Sequence, residues 1–310
     1  MHKSNPKTFP RGTDTDSSSE QSSGGNGYPR TRAKSNSAAS QSVEGIFDNA
    51  DFRLLRDAIL DLLRVDLEHY KTGQMLRRLA ALLPRRKVGS WREYVDRLKK
   101  DPAELAYLRE YLTINVSSFY RDARKWDYLA EHVLPDLASH FSRGLQIWSA
   151  GCSIGAEPYT LAMLLQEVVP HRGHRIWATD IDDKVLNQAR NRGPYTRSDI
   201  KELPDPLAAK YLVPISDEEY KVHRSLRTMI QFDRFDLLQD RTQRQFHLIV
   251  CRNVVIYFTP EIKEMLYRRF LEALYPQGIL FIGGTETITQ YRTIGFEYVA
   301  PSLYRRPAVG

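Results

Sequence analysis

From Leu145 onward the chain alternates short apolar runs with amphipathic stretches, and this alternation restricts its fold more than any other feature. Gly144-Leu-Gln-Ile-Trp-Ser-Ala-Gly151 predicts a buried strand closed by a glycine turn, with a helix following from Glu157 to about Val168. His174-Arg-Ile-Trp-Ala-Thr-Asp180 predicts the next strand, and Asp183 to Asn191 the next helix. Phe246 to Cys251 and Gly278 to Gly283 predict two more strands, separated by a helix from Pro260 to Tyr275. Alternating β and α units imply an α/β fold, a mostly parallel sheet with helices on both faces. Between Lys201 and Thr228 the alternation lapses for long enough to hold an inserted subdomain, read as a helix and a small antiparallel sheet at about 204–230.

Ahead of the sheet the period changes. Leu54, Leu55, Ile59, Leu62 and Leu63 recur at three- and four-residue spacing, as one buried helix face requires. Met75, Leu76, Leu79, Leu82 and Leu83 repeat the pattern, and shorter helices are expected around Trp91 to Leu98 and Pro102 to Leu112. Residues 46–130 are thus expected to form an all-α domain built on four helices, and 131–310 the α/β domain. Residues 1–45 are rich in Ser, Gly, Asn and Pro, with Phe9, Tyr28 and Val43 as their only bulky hydrophobes. Such a segment cannot bury enough apolar surface to offset the entropy of ordering, so it is expected to be a disordered tail.

Composition excludes several classes. The 310-residue chain has no run near the ~20 apolar residues of a membrane helix, and it opens with no signal-peptide pattern. Two cysteines, Cys152 and Cys251, are too few for a disulfide scaffold or a cysteine-based zinc site. A cytoplasmic protein with no membrane insertion and no metal is expected.

In open α/β sheets ligands bind beyond the carboxyl ends of the strands. Four candidate places follow: the glycine turn Ala150-Gly-Cys-Ser-Ile-Gly-Ala-Glu-Pro-Tyr159, the acid Asp180, Asp236 in Phe-Asp-Leu-Leu238, and Cys251-Arg-Asn-Val-Val-Ile-Tyr257. Gly151 and Gly155 would let backbone approach a ligand, and Asp180 is placed to bind ribose hydroxyls. Each residue also has a plainer reading. The glycines serve many turns, Asp182 suits the cap of the next helix, Asp236 is an ordinary loop acid, and Tyr257 an ordinary packed aromatic. Their joint arrangement at successive strand ends favours the ligand reading. The turn is neither Gly-x-Gly-x-x-Gly nor a P-loop, which disfavours a dinucleotide and excludes a phosphate cradle of that kind. A glycine turn on the first strand and an acid on the second fit S-adenosylmethionine.

These segments resemble the chemotaxis receptor glutamate O-methyltransferases, the CheR family. Thr113-Ile-Asn-Val-Ser-Ser-Phe-Tyr-Arg121 is similar to that family's Asn-x-Thr-x-Phe-Phe-Arg, and Gly151-Cys-Ser-Ile-Gly-Ala-Glu-Pro-Tyr159 to its Gly-Cys-Ser-x-Gly-Glu-Glu-Pro-Tyr. Ala178-Thr-Asp-Ile-Asp182, Cys251-Arg-Asn-Val-Val-Ile-Tyr-Phe258 and Gly283-Gly-Thr-Glu286 follow in order, so the resemblance spans roughly 48–305. It implies a Rossmann-like methyltransferase sheet with an all-α N-terminal domain and an inserted antiparallel β-subdomain. The implied cofactor contacts are Asn115, Ser117, Arg121, Glu157, Asp180, Asp236, Leu237, Cys251 and Arg252, joined by Gly151 of the turn. Arg121 and Tyr257 would line the meeting place of methyl donor and substrate, and S-adenosylhomocysteine would be the product. Ser117 stands for a usual Thr and keeps the hydroxyl. Ala156 stands for a usual Glu beside the retained Glu157, and Gly284 stands where the family often has His. Relatives that grip a receptor's C-terminal pentapeptide carry Gly-x-Gly in the β-subdomain. Here no glycine occurs between Pro194 and Thr228, which resembles the pentapeptide-independent members.

Charge supports an acidic partner. Residues 71–100 hold ten Lys/Arg against two Asp/Glu, a balance of +8 where the whole chain carries +7. A solvated helix face is the plain reading, yet a positive face also steers glutamate-rich receptor helices. Arg77, Arg78, Arg85 and Arg86 are the expected substrate contacts, and methyl-accepting chemotaxis receptors the expected partners of a monomeric enzyme. A glutamate with a pKa of about 4.3 is already ionised at neutral pH, so no strong base is needed, and no His falls inside a motif. Two rivals remain. A nucleic-acid methyltransferase would use the same cofactor and a basic patch, but Arg252-Asn-Val-Val-Ile-Tyr257 lacks the prolines of an Asn/Asp-Pro-Pro-Tyr motif, so no stable nucleic-acid complex is expected. A non-catalytic cofactor-sensing module would tolerate loss of Arg121, Glu157, Asp180 or Tyr257, and all four are present.

Overall fold

The computed structural model describes residues 50–112, 117–170 and 172–308. The tail at 1–45 and the candidate Asn115 lie outside them.

The first element, α1 (Ala50–Leu63), buries Phe52, Leu55, Ala58, Ile59 and Leu63 and leaves Leu54 exposed at 39%. The apolar stripe therefore starts at Phe52, and Leu54 does not belong to it. A 3-10 turn, Leu67–His69, leads to α2 (Thr72–Ala80) and α3 (Leu82–Arg86), then α4 (Trp91–Lys100) and α5 (Pro102–Leu112). The second expected helix is thus broken at Ala81. Ser90 caps α4 by accepting the Glu93 N–H at 3.2 Å, and the Glu93 carboxylate returns to the Gly89 N–H at 2.9 Å. Met75, Leu76, Leu79, Leu82, Trp91, Val95 and Leu98 meet α1 in one apolar core. Beneath that core the fully buried Glu104 is gripped by Arg86 at 2.5 and 2.7 Å and by Arg97 at 2.7 Å.

The remaining chain builds a seven-stranded sheet flanked by α6 (Ala123–Tyr128), α7 (Leu134–His140), α8 (Ala156–Val168), α9 (Asp183–Arg190), α13 (Pro260–Ala273) and α14 (Tyr291–Ile294). The intervening short helices are α10 (Arg197–Ile200), α11 (Asp205–Tyr211) and α12 (Arg224–Arg227). Its strands are β1 (Gln146–Ala150), β2 (Arg175–Asp180), β6 (Ile230–Arg234), β7 (Phe246–Cys251), β8 (Leu274–Ile282), β9 (Glu297–Ala300) and β10 (Leu303–Arg305). The spatial order is β6-β2-β1-β7-β8-β10-β9, parallel from β6 to β8 and antiparallel at β10 and β9. Successive side chains of a strand point to opposite faces. Accordingly Ile147 joins the core under α8, while Trp148 and Ala150 join the core under α13. Trp148 there packs against Trp177, Phe246 and Phe270 with ring centroids 5.1–5.6 Å apart.

The small antiparallel sheet has the order β3 (Tyr195–Thr196), β5 (Glu219–Val222), β4 (Leu212–Pro214). It starts at Tyr195, upstream of the expected 204–230 segment, because a two-residue strand leaves no periodicity to read. Strands β6, β9 and β10 likewise lie outside the four that the sequence pattern marks. Phe119, Tyr120, Trp126, Leu129 and Leu134 all pack in the core of the sheet rather than with α1 to α5. No helix among the described residues is long and apolar enough to cross a membrane.

Candidate functional site

A cavity of about 490 Å³ opens where β1, β2, β6 and β7 end, beneath the helical module. That size lies within the range of small-molecule sites. The sheet side contributes Gly151, Glu157, Asp180, Asp236, Leu237, Arg252 and Tyr257, the segment before α6 adds Ser117 and Arg121, and α2 adds Arg77 and Arg78.

The floor is the turn after β1. The N–H groups of Gly151 and Cys152 both donate to the Thr179 carbonyl at 2.8 Å, which pins the turn to β2. Gly151 and Gly155 have φ of +80° and +89°, in the left-handed region that glycine adopts without strain. Their packing differs from the sequence expectation. A Cβ at Gly155 would meet the Ala189 Cβ at 2.7 Å, so this glycine serves the α8–α9 contact and not a ligand. A Cβ at Gly151 would come within 2.5 Å of the Val254 side chain, a residue that also lines the cavity.

Glu157 enters the cavity from the first turn of α8. Its Oε1 accepts from the Ser149 hydroxyl at 2.7 Å, and Arg252 Nη1 lies 3.9 Å from Oε2. Burial pushes its carboxyl up to about 7, against the pull of Arg252 and Ser149. Arg252 is itself buried, its guanidinium 5.0 Å from the Trp126 ring and 4.9 Å from that of Phe281. It pairs with Asp122 at 2.8 Å and donates to the Arg121 carbonyl at 2.8 Å. Trp126 Nε1 donates to that same carbonyl at 2.9 Å, so the backbone carrying Arg121 is fixed twice. Arg252 therefore shapes the site through Arg121 and Glu157 as much as by facing it.

Asp180, at the end of β2, takes the Ser153 N–H at 2.8 Å on one oxygen and the Asp182 N–H at 3.0 Å on the other. Burial raises its pKa, and those two N–H bonds oppose the rise. Asp182 caps α9 by accepting the Lys184 N–H at 2.9 Å, as the sequence pattern predicts. Beyond β6, Asp236 accepts the Leu238 N–H at 2.8 Å, and Arg269 holds the Leu237 and Leu238 carbonyls at 2.7 and 3.0 Å. Leu237 and Phe235 are thereby presented as an apolar wall.

Tyr257 ends a 3-10 turn, Val255–Tyr257, after β7. Its carbonyl accepts the Lys71 N–H at 2.8 Å, and the next residues continue the contact through a Tyr70–Phe258 bridge. Burial raises the Tyr257 pKa while Arg78 and Arg121 oppose it, so the hydroxyl keeps its proton at neutral pH.

Three expected contacts are not assembled. The Cys251 side chain is fully buried in the core beneath α13, which leaves only its backbone to face a ligand. Arg86 is spent on Glu104 and stacks 4.3 Å from Tyr107, and Arg85 lies over Tyr111 at 5.8 Å. Neither arginine lines the cavity, although Arg85 shares the Tyr111 ring with Arg78, which does. Conversely, Ser153, Tyr70 and Arg109 line it without having been singled out. Ser153 had a signal, its place between the two turn glycines. Tyr70 and Arg109 had none, since only the tertiary packing brings them in.

The donor set fits S-adenosylmethionine. Glu157 can take an ammonium, Asp180 a pair of hydroxyls, and Leu237 with Phe235 an apolar ring. The buried Ser153 hydroxyl has no partner and lines the same space. No histidine among the described residues lines the cavity. A Rossmann-like sheet carrying these groups at its strand ends defines an S-adenosylmethionine-dependent methyltransferase. The chain belongs to the CheR methyltransferase family: residues 50–113 match its all-alpha domain and 115–300 its SAM-binding domain. A chemotaxis protein methyltransferase of Listeria monocytogenes is 41% identical over 73% of this chain and 86% of its own length. That of Borreliella burgdorferi is 32% identical over 83% and 97%, and that of Salmonella typhimurium 31% over 78% and 85%.

Proposed function

We propose that this protein transfers the methyl group of S-adenosylmethionine to glutamate side chains on the cytoplasmic part of methyl-accepting chemotaxis receptors, forming methyl esters. The observation that carries this reading is the lining of the cavity, which Arg77, Arg78 and Arg109 of the helical module share with Arg121 and Tyr257. Such a lining suits a carboxylate nucleophile. It also agrees with the names of the relatives.

When bound, the cofactor supplies an electrophilic methyl on a sulfonium. A glutamate side chain is ionised at neutral pH, so its oxygen would accept that methyl as a carboxylate, with the sulfonium's bonding pair left on sulfur and no proton to be moved by the protein. The protein's share is then alignment and electrostatics. Arg121 offers a planar fork to a carboxylate, and the protonated Tyr257 hydroxyl can donate to the oxygen that is not attacking. Glu157 would hold the cofactor's ammonium.

The test is transfer of labelled methyl to a receptor cytoplasmic fragment in the presence of an RNA oligonucleotide. Label on the fragment, lost when its methylation-site glutamates become alanine, supports the reading. Label on the RNA instead would sink it. The missing glycines of the β4–β5 region further support action without a C-terminal tether. Fragments with and without the receptor's last five residues are then methylated at the same rate.

A further inference from the structure

We infer that Glu286 is a positioning residue for methyl transfer: its buried carboxylate, just past β8, holds the start of the loop that carries Tyr257. The inference rests on the role proposed above for Tyr257.

Strands β7 and β8 are parallel neighbours in the register Cys251↔Ile282, so the chain leaves both at the same level. After β8 it turns back, the Glu286 N–H donating to the Gly283 carbonyl at 3.1 Å. The Glu286 side chain then reaches across to the neighbouring loop. Oε2 accepts the Asn253 N–H at 3.2 Å and also the Gly283 N–H. The residue is 5% exposed. Burying a carboxylate is costly unless donors surround it. Here burial raises its pKa, while the N–H groups of Gly283, Asn253 and Ile256 pull it back, with Lys263 of α13 adding to the pull. Asn253 lies two residues ahead of the 3-10 turn that delivers Tyr257, and Ile256 is the middle residue of that turn. A side chain present only to fill space would be apolar; this one is an acceptor aimed at the loop backbone.

A second observation agrees. A Cβ at Gly283 would lie 2.6 Å from Glu286 Oε2 and 2.8 Å from the Asn253 nitrogen. The glycine leaves room for this grip. Asn253 itself has φ of +59°, in the left-handed region that asparagine enters more readily than most other non-glycine residues. The loop is thus anchored at Asn253 by Glu286, at Val254 by contact with Gly151, and at Tyr257 by Lys71. Charge-assisted bonds are the stronger kind, and loosening them lets the Tyr257 hydroxyl drift from the reacting oxygen.

The experiment is a double-mutant cycle of Glu286→Ala and Tyr257→Phe, reading kcat and KM on the receptor fragment and the Kd of S-adenosylmethionine. Glu286→Gln is included because its one carbonyl oxygen can still accept the Asn253 N–H. The inference expects E286A to lower kcat about 10- to 100-fold, to leave the cofactor Kd within about threefold, and to be partly rescued by E286Q. In the Y257F background, E286A costs less than about threefold, because there is no hydroxyl left to misplace. Two losses that multiply overturn the inference, as does an E286A enzyme with wild-type kcat beside an impaired Y257F. A Y257F enzyme with wild-type kcat would instead remove the proposed role of Tyr257, and the inference with it. Should E286A not fold, the cycle with E286Q gives the same comparison at smaller amplitude.

Discussion

The Lys71 N–H donates to the Tyr257 carbonyl at 2.8 Å, so the loop that carries the tyrosine is tied to the helical module by backbone. The Thr259 N–H extends the contact to the His69 carbonyl at 3.0 Å, and the Tyr70 and Phe258 rings pack 5.1 Å apart beside it. The helical module and the loop that carries Tyr257 are therefore joined through backbone and ring contacts.

Lys71 has φ of −59°, which is proline's own, and Tyr70 before it is extended. Lys71→Pro should remove the N–H donor without breaking the backbone, while Lys71→Ala removes only the side chain. The expected result is a kcat about tenfold lower for K71P than for K71A, with equal affinity for S-adenosylmethionine. Equal kcat values in the two variants would show the tie to be idle.

Glu157 sets opposite demands on stability and binding. Its folded pKa of about 7 exceeds the ordinary value of 4.5, so the folded state binds the extra proton. Its contribution is fully present below about 4.5 and is lost as pH rises through 7. Glu157→Gln should raise the Tm of the ligand-free protein at pH 8 by a few degrees. The same change should weaken S-adenosylmethionine by at least tenfold. Wild-type affinity should climb between pH 6 and 7.5 as the carboxylate ionises, and the E157Q affinity should stay flat, both read by calorimetry.

The basic run divides by geometry. Arg86→Ala leaves the buried Glu104 carboxylate short of its main partner, which holds that carboxyl below its usual range. Thermal denaturation should show a clear drop in Tm while KM for the receptor fragment holds. Arg77→Ala removes a rim charge, and it should raise KM severalfold at low salt with little change in Tm. That KM difference should shrink as salt screens the rim.

Two glycines give a matched pair. Gly155→Ala places a Cβ 2.7 Å from Ala189 at a φ of +89°. The left-handed backbone alone costs about 1–2 kcal/mol, so chemical denaturation should show at least that loss. Gly73, near the start of α2, has open space around its missing Cβ. Gly73→Ala should stabilise the protein by about 0.5–1 kcal/mol.

How far the sequence was legible depended on the scale of the pattern. Strands β1, β2, β7 and β8 each carry a run of apolar residues ending in Gly, Asp or Cys, and these were readable in order. Strand β3 is two residues long, and β9 and β10 are three or four residues that mix Tyr, Arg and Glu with apolar residues, so no periodicity marked them. At the cavity, Asp180 was legible because it ends a strand, and Glu157 through the motif it shares with the family. Arg85 and Arg86 do not line the cavity, a distinction that a charge count cannot make because it carries no direction. Only the fold shows that Arg86 turns to Glu104 while Arg77 turns to the cavity. Arg252 was legible as part of a motif, but its double hold on Arg121 and Glu157 is set beside the Trp126 and Phe281 rings, which pack edge-to-face against each other. Those two rings lie 155 positions apart in the chain, 126 against 281.

The central claim is the chemical nature of the product, and mild alkali tests it most directly. Receptor fragment labelled from S-adenosylmethionine is brought to high pH, and the volatile label is collected. A carboxyl methyl ester hydrolyses to methanol, so the account predicts near-complete release of label from wild-type reactions, with little label incorporated by Tyr257→Phe. Label that resists alkali would place the methyl group on nitrogen and contradict the account.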